Sequence, residues 1–270
     1  MKHRDLGVLE GDLLVFGGPY SNLQATEAVL AQAEALGIAA SHVICTGDIV
    51  AYCGAPAATL AAVRASGCTL IAGNCEVQLA ANADDCGCGF EEGTTCDRLS
   101  VAWYAYARAQ LDADARDWMR DLPDVVTFTH HGTRYGVIHG GVSDVARFIW
   151  ETDAEDVFAR EWDALEAIAG KVNAVIAGHS GLPFMRGTAR GAWINAGVVG
   201  MPPHDGVCDV RFAVLDAGGT RIERLRYDVQ GAVADMTNAG LPRDYADALR
   251  SGYWPSEDVL PPALRVSDRG

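Results

Sequence analysis

The sequence predicts an α/β fold, and three observations predict it. Short apolar runs of strand character alternate with stretches of helical periodicity from residue 13 onward. Four of those runs break abruptly from apolar to polar, at Asp48, Asn74, His139 and His179, each beside a glycine. The 270 residues are 49% hydrophobic and carry no Ser/Gly/Pro-rich linker or fixed-period repeat, which points to one large domain with a sizeable core.

The elements follow in order. "LLVF" reads as a buried strand that breaks at Gly17 and Gly18. Ala25, Ala28, Val29, Ala33 and Leu36 then recur at helical spacing, with Gly37 as a C-cap. "HVICTGD" is a short strand, "APAATLAAVRASG" a helix, and "CTLIAGN" a further strand with a polar tip. Residues 97–122 have a helical pattern, with Asp112 positioned to cap a second part. "DVVTFTHHGTRYGVIHGG" reads as two strands around a hairpin, residues 154–169 as a helix, and "NAVIAGHS" as a strand. "AWINAG", "CDVRFAVLD" and "TRIERLRYD" make the region to Asp228 strand-rich, and a helical tail from about residue 241 covers 242–251. Parallel strands in such an arrangement share one C-terminal edge, where ligands of open α/β sheets bind.

Composition narrows the function. A net charge of −15 repels nucleic acid and anionic lipid, so a phosphorylated ligand needs a locally positive site, which a bound metal can supply. No apolar run reaches the length of a membrane span, and acidic residues interrupt the N-terminal stretch before a signal-peptide core forms. The expected protein is therefore soluble and cytoplasmic. At the strand tips, one carboxylate (Asp48), one amide oxygen (Asn74) and two imidazoles (His139, His179) suit a single divalent ion, with Mn, Fe or Zn ahead of Mg.

The order "GD", "GN", "HGG" and "GH", followed by "INAGVVGMPPHDG", resembles the calcineurin-like metallophosphoesterase family from Leu13 to about Leu215. The resemblance implies a four-layer α-β-β-α sandwich of two mixed sheets with a two-metal site at the strand tips. It makes Asp48 the bridging aspartate, Asn74 the "GN" ligand, His139 the lone histidine and His179 the first histidine of "G-H-x-H".

Three departures fall together. Gly18 and Tyr20 stand where the family's D-x-H aspartate and histidine belong, and Gly181 replaces the second histidine of the last block. All three missing side chains would bind the same metal, whereas every ligand of the other is present. The resemblance thus implies a mononuclear site, one metal per chain. A fourth departure puts Cys75 where the family's "GNH" histidine assists the leaving group, which makes Cys75 the candidate leaving-group or substrate contact. Tyr20 and Asn22 are the expected substrate-binding residues, and Arg147 and His204 could also reach a phosphate.

Three more cysteines, Cys86, Cys88 and Cys96, follow Cys75 at spacings of no zinc ribbon or ferredoxin. They can be free thiols, a redox pair such as Cys86 with Cys96, or ligands of a second metal together with Cys75. Cys45 and Cys208 lie in apolar strand patterns and read as inert core residues. His130 and His131 read as solvated hairpin residues. The functional expectation is a metal-dependent hydrolase of a small phosphorylated molecule. The other class left open is a catalytically reduced protein that keeps the fold and one metal for binding or redox sensing.

Overall fold

A computed structural model of the chain describes residues 1–266. Its strands are β1 (His3–Val8), β2 (Leu13–Phe16), β3 (Val43–Cys45), β4 (Thr69–Leu70), β5 (Val125–His130), β6 (Thr133–Val137), β7 (Ala174–Ala177), β8 (Phe184–Gly187), β9 (Ala192–Asn195), β10 (Val210–Asp216) and β11 (Gly219–Leu225). The helices are α1 (Leu23–Ala35), α2 (Pro56–Ser66), α3 (Asn74–Ala80), α4 (Thr95–Ala109), α5 (Ala113–Asp121), α6 (Glu155–Ala169), α7 (Val229–Asn238) and α8 (Arg243–Ser251).

Two mixed sheets result, ordered β1-β5-β6-β7-β9-β8 and β11-β10-β2-β3-β4. The two-residue period of a strand splits each apolar run between two cores. Leu13 and Val15 of β2 and Ile44 of β3 meet Phe128, Val137, Ile176 and Ile194 between the sheets. Their neighbours Leu14, Phe16, Val43 and Cys45 face a helical layer that includes Val29, Leu60, Trp103, Met236 and Leu249. On the far side, Val175, Ala177 and Trp193 pack on Phe158, Trp162 and Leu165 of α6. The layers are therefore α-β-β-α.

The strand tips converge because β2, β3 and β4 run parallel, as do β6, β7 and β9. Beyond β2 and β9 the two sheets are stitched together: Gly17 bridges to Val198, Val199 N–H donates to Gly17 O at 3.0 Å, and Gly200 N–H to Gly18 O at 2.7 Å. Local signals act where expected. The Asn22 side chain caps α1 by accepting from Ala25 N–H, and Asp112 caps α5 by accepting from Ala115 N–H.

Several elements differ from the sequence expectation. β1 has almost no buried surface, so it leaves no apolar pattern to read; it exists by parallel pairing with β5 at a sheet edge. The strand in "CTLIAGN" shrinks to Thr69 and Leu70, because Asn74 already starts α3. β8 and α7 were not expected at all. Cys208 lies outside β10, only half buried, with its thiol against the Arg250 carbonyl, and so is no core strand residue. His130 is buried and bonded to Gly11 O at 2.8 Å rather than solvated; His131, at φ 46°, takes the exposed turn position.

Trp193 of β9 is wholly buried, edge-on to Phe158 at 5.2 Å between ring centres. Trp193→Ala should lower the unfolding free energy by about 3–5 kcal/mol, read from urea denaturation; a loss under about 1 kcal/mol would mean that the outer core collapses around the gap.

Candidate metal centre

The tips of β3, β4, β6 and β7 bring Asp48, Asn74, His139 and His179 into one buried cluster. The Nε2 atom of His139 lies 3.2 Å from Asp48 Oδ2, 3.2 Å from Asn74 Oδ1 and 3.2 Å from His179 Nδ1. Donor atoms of Asp48, His139 and His179 all fall within 4.8 Å of one another. The other ring nitrogen of His139 sits 2.6 Å from the Thr46 carbonyl. A carbonyl accepts only, so this contact keeps a proton on Nδ1 and makes Nε2 the ring nitrogen that can bind metal once its own proton leaves. With Nε2 deprotonated, donor atoms of four side chains face one another, an arrangement that a cation satisfies. The donor set therefore fits a divalent metal.

Charge in the cluster points the same way. Burial would raise the Asp48 carboxyl, but the two imidazoles and the Cys75 N–H outweigh it and hold its pKa down at about 2. Burial, then the neighbouring His139, lowers His179 to about 3, so this ring is neutral and free to bind metal. For His139, burial acts downward, yet the Asp48 carboxylate and its hydrogen bond prevail and the net shift is upward.

The scaffold behind the cluster explains its placement. Asp48 and His179 both have φ 57°, a left-handed backbone that costs a non-glycine residue on the order of 1 kcal/mol or more. The turn at Asp48 is held by Glu76, a fully buried carboxylate that accepts from Asp48 N–H (2.7 Å), Ile49 N–H (2.8 Å) and Gly73 N–H (2.9 Å). Gly47 is obligatory there, since a Cβ would lie 2.6 Å from Gly73 N and 2.9 Å from His139 Nδ1. Burial and the nearby Asp48 charge push Glu76 up to about 7 against its backbone donors. Glu161 of α6 does the same for the turn after His139, accepting from Val142 N–H at 2.6 Å and Ser143 N–H at 3.0 Å. Asn195 holds the His179 turn through the Gly178 carbonyl at 2.9 Å. Sequence reasoning missed these three positioning residues. Glu76 was within reach of it, as a carboxylate two residues after Asn74.

Cys75 lies beside the cluster, and its N–H donates to Asp48 Oδ1 at 3.2 Å. Its thiol is buried, and burial together with the Asp48 and Glu76 charges pushes its pKa well up, so it stays a neutral thiol. Cys86 is paired with Cys88 rather than with Cys96. This pair touches the site: the Asn74 amide nitrogen donates to Cys86 O at 3.0 Å and faces Cys88 Sγ at 3.4 Å, which turns Oδ1 toward His139.

The space beside Gly18 and Gly181 is occupied by other side chains. A Cβ on Gly18 would meet the Tyr20 ring at 2.5 Å and Val198 at 2.8 Å, and one on Gly181 would meet the Trp254 ring at 3.2 Å. Tyr20 and Trp254 also line a pocket over His179, with Tyr52, Phe90, Phe148 and Tyr245. Asn22, in contrast, is used inside the fold. Its oxygen caps α1 and its nitrogen donates to Gly200 O at 3.2 Å. Arg147 pairs with Glu161 at 3.0 Å. His204 bonds Glu257 at 2.7 Å and accepts from Trp254 N–H at 2.8 Å, so it anchors the segment carrying Trp254.

A four-layer sandwich with such donors at its strand tips defines a metallophosphoesterase-type scaffold. The chain belongs to the calcineurin-like phosphoesterase superfamily, whose domain profile it matches over residues 14–219. Among solved structures it is similar to a metallophosphoesterase from Sphaerobacter thermophilus, at 20% identity and TM-score 0.68 over 90% of this chain and 100% of that one. It is also similar to a hypothetical protein from Pyrococcus horikoshii OT3, at 18% identity and TM-score 0.73 over 91% and 100%. At these identities the likeness concerns the fold. No curated protein matches the sequence. Among the described residues, no helix is long and apolar enough to cross a membrane.

Metal must displace the proton from His139, whose pKa is raised, while Asp48 and His179 are already deprotonated above about 2 and about 3. Affinity for Mn or Zn should therefore fall as pH drops through the raised His139 value, approaching tenfold per pH unit for one competing proton. Calorimetric titrations between about pH 5.5 and 7.5 would show it, and a flat profile would contradict this assignment. Asn22→Ala should cost about 1–2 kcal/mol of stability in denaturant titration while leaving metal affinity intact; loss of metal affinity would return Asn22 to the site.

Proposed function

We propose that this chain is a metal-dependent hydrolase of a small phosphorylated molecule, working with one metal, Mn, Fe or Zn, held by Asp48, Asn74, His139 and His179. The observation that carries the single-metal reading is the filled half-site. A Cβ at position 18 would meet the Tyr20 ring at 2.5 Å and Val198 at 2.8 Å, and one at position 181 would press on the Trp254 ring at 3.2 Å. When bound, the metal supplies a Lewis acid that polarises a phosphoryl oxygen and acidifies water.

The chain's own groups do the rest. Thr46 fixes the tautomer and orientation of His139, and the cysteine loop fixes the Asn74 amide. Aromatic side chains over His179 keep bulk water from the reacting centre. Protonation of the leaving group is poorly served, because Cys75 and Tyr20 both have pKa values pushed well above their ordinary range, by burial first. Turnover should therefore be slow on esters with basic leaving groups. Nucleic acid is not a substrate on this reading, given the net charge of −15.

One contact favours a second reading, a metal-binding redox sensor: the Cys86–Cys88 pair lies on the amide that orients Asn74. A metal affinity that changes about tenfold or more on dithiothreitol treatment, with no ester hydrolysed, would select it.

Metal analysis should find one equivalent per chain, lost in His179→Ala. Two equivalents, or unchanged content in that variant, would refute the single-metal reading. Generic phosphodiesters should turn over well below about 10 per second. Gly18→Asp, Tyr20→His and Gly181→His should admit a second metal only when Trp254→Ala is added, because Trp254 stands where the new His side chain must go. Uptake of a second equivalent without the Trp254 change would show that the ring moves aside freely.

A further inference from the structure

The pocket beside His179 differs from a phosphate-recognition site in one respect. Among the described residues that line it there is no lysine or arginine. A ligand with several phosphates, or a charged group beyond the reacting phosphoryl, would find no countercharge there, in a chain whose net charge is −15. What the pocket does offer is aromatic surface on two sides. On one side Tyr20 stands edge-on to Tyr52 at 4.7 Å, and Tyr52 is backed by Tyr245 at 4.7 Å and Trp103 at 5.0 Å. On the other, Phe148 lies 4.3 Å from the His179 ring, braced by Trp150 at 5.5 Å and Phe90 at 6.4 Å. Such braced rings lose little freedom on binding an apolar guest, and a phenyl ring would have to widen the roughly 60 Å³ free among them.

Position ties the pocket to the chemistry. His179 is both a metal donor and a lining residue, so a phosphoryl group on the metal would direct its ester substituent between these walls.

We propose that the ester group of the substrate is uncharged and aromatic, an aryl phosphate, bound between Phe148 and the Tyr20–Tyr52 pair under Trp254. This rests on the hydrolase reading above and narrows it to a substrate class. Nucleoside polyphosphates and sugar phosphates are disfavoured by the same walls.

Binding of phenylphosphonate and methylphosphonate to the full chain, with and without Mn, tests the pocket apart from turnover, since the two share a headgroup and neither is hydrolysed at its P–C bond. Calorimetry and tryptophan fluorescence should show phenylphosphonate binding at least about tenfold more tightly. Phe148→Leu and Trp254→Leu should each reduce that ratio severalfold with metal content unchanged. Equal affinity for the two ligands, no binding of either, or a ratio unmoved by both variants would overturn the proposal. Should the preference hold while aryl phosphates are not hydrolysed, the pocket assignment stands and the hydrolase reading fails. Should alkyl and aryl phosphates be hydrolysed equally well, the reverse applies.

Discussion

The site depends on a carboxylate that never reaches solvent. Glu76 accepts three backbone N–H groups, from Asp48 and Ile49 after β3 and from Gly73 after β4, and so clamps two parallel strand tips to each other. Placing a charge there costs free energy, visible in the upward shift of its pKa, and the three donors offset that cost. The same clamp sustains the left-handed turn at Asp48 and starts α3 with Asn74 facing the cluster. Without it, neither Asp48 nor Asn74 would have reason to converge on His139.

Beside that clamp, the space next to Gly18 and Gly181 is taken by the Tyr20 ring, Val198 and Trp254. Trp254 is held in turn by its indole N–H to Pro202 O at 2.7 Å and by its backbone N–H to His204. These side chains make an apolar wall beside His179, and the burial of the donors strengthens each electrostatic contact among them.

The cysteines divide by environment more than by sequence position. Cys75 is sealed beside two carboxylates and stays a neutral thiol, whereas Cys86 and Cys88 pair with each other and hold the far side of the Asn74 amide. Cys96 lines the pocket wall instead. The loop thus serves the metal centre through its backbone carbonyl at Cys86 and through its shape.

The sequence by itself determined the alternation of strands and helices, the two-sided burial of β2, β3 and β7, and the cluster of Asp48, Asn74, His139 and His179. These are local or periodic properties: a polar residue ending an apolar run beside a glycine is visible in one dimension. Gly18, Tyr20 and Gly181 were legible too, at positions where the family resemblance implies metal ligands. Tertiary structure decided whatever depends on contacts far apart in the chain. That includes β1, an edge strand with no apolar pattern that exists only through β5, and the internal use of Asn22, Arg147 and His204. It includes the filling of the Gly181 side by Trp254, more than 70 residues away. The aromatic walls belong here too, because Tyr20, Tyr52, Phe148 and Tyr245 come from four separate segments and form one surface only after the two sheets close.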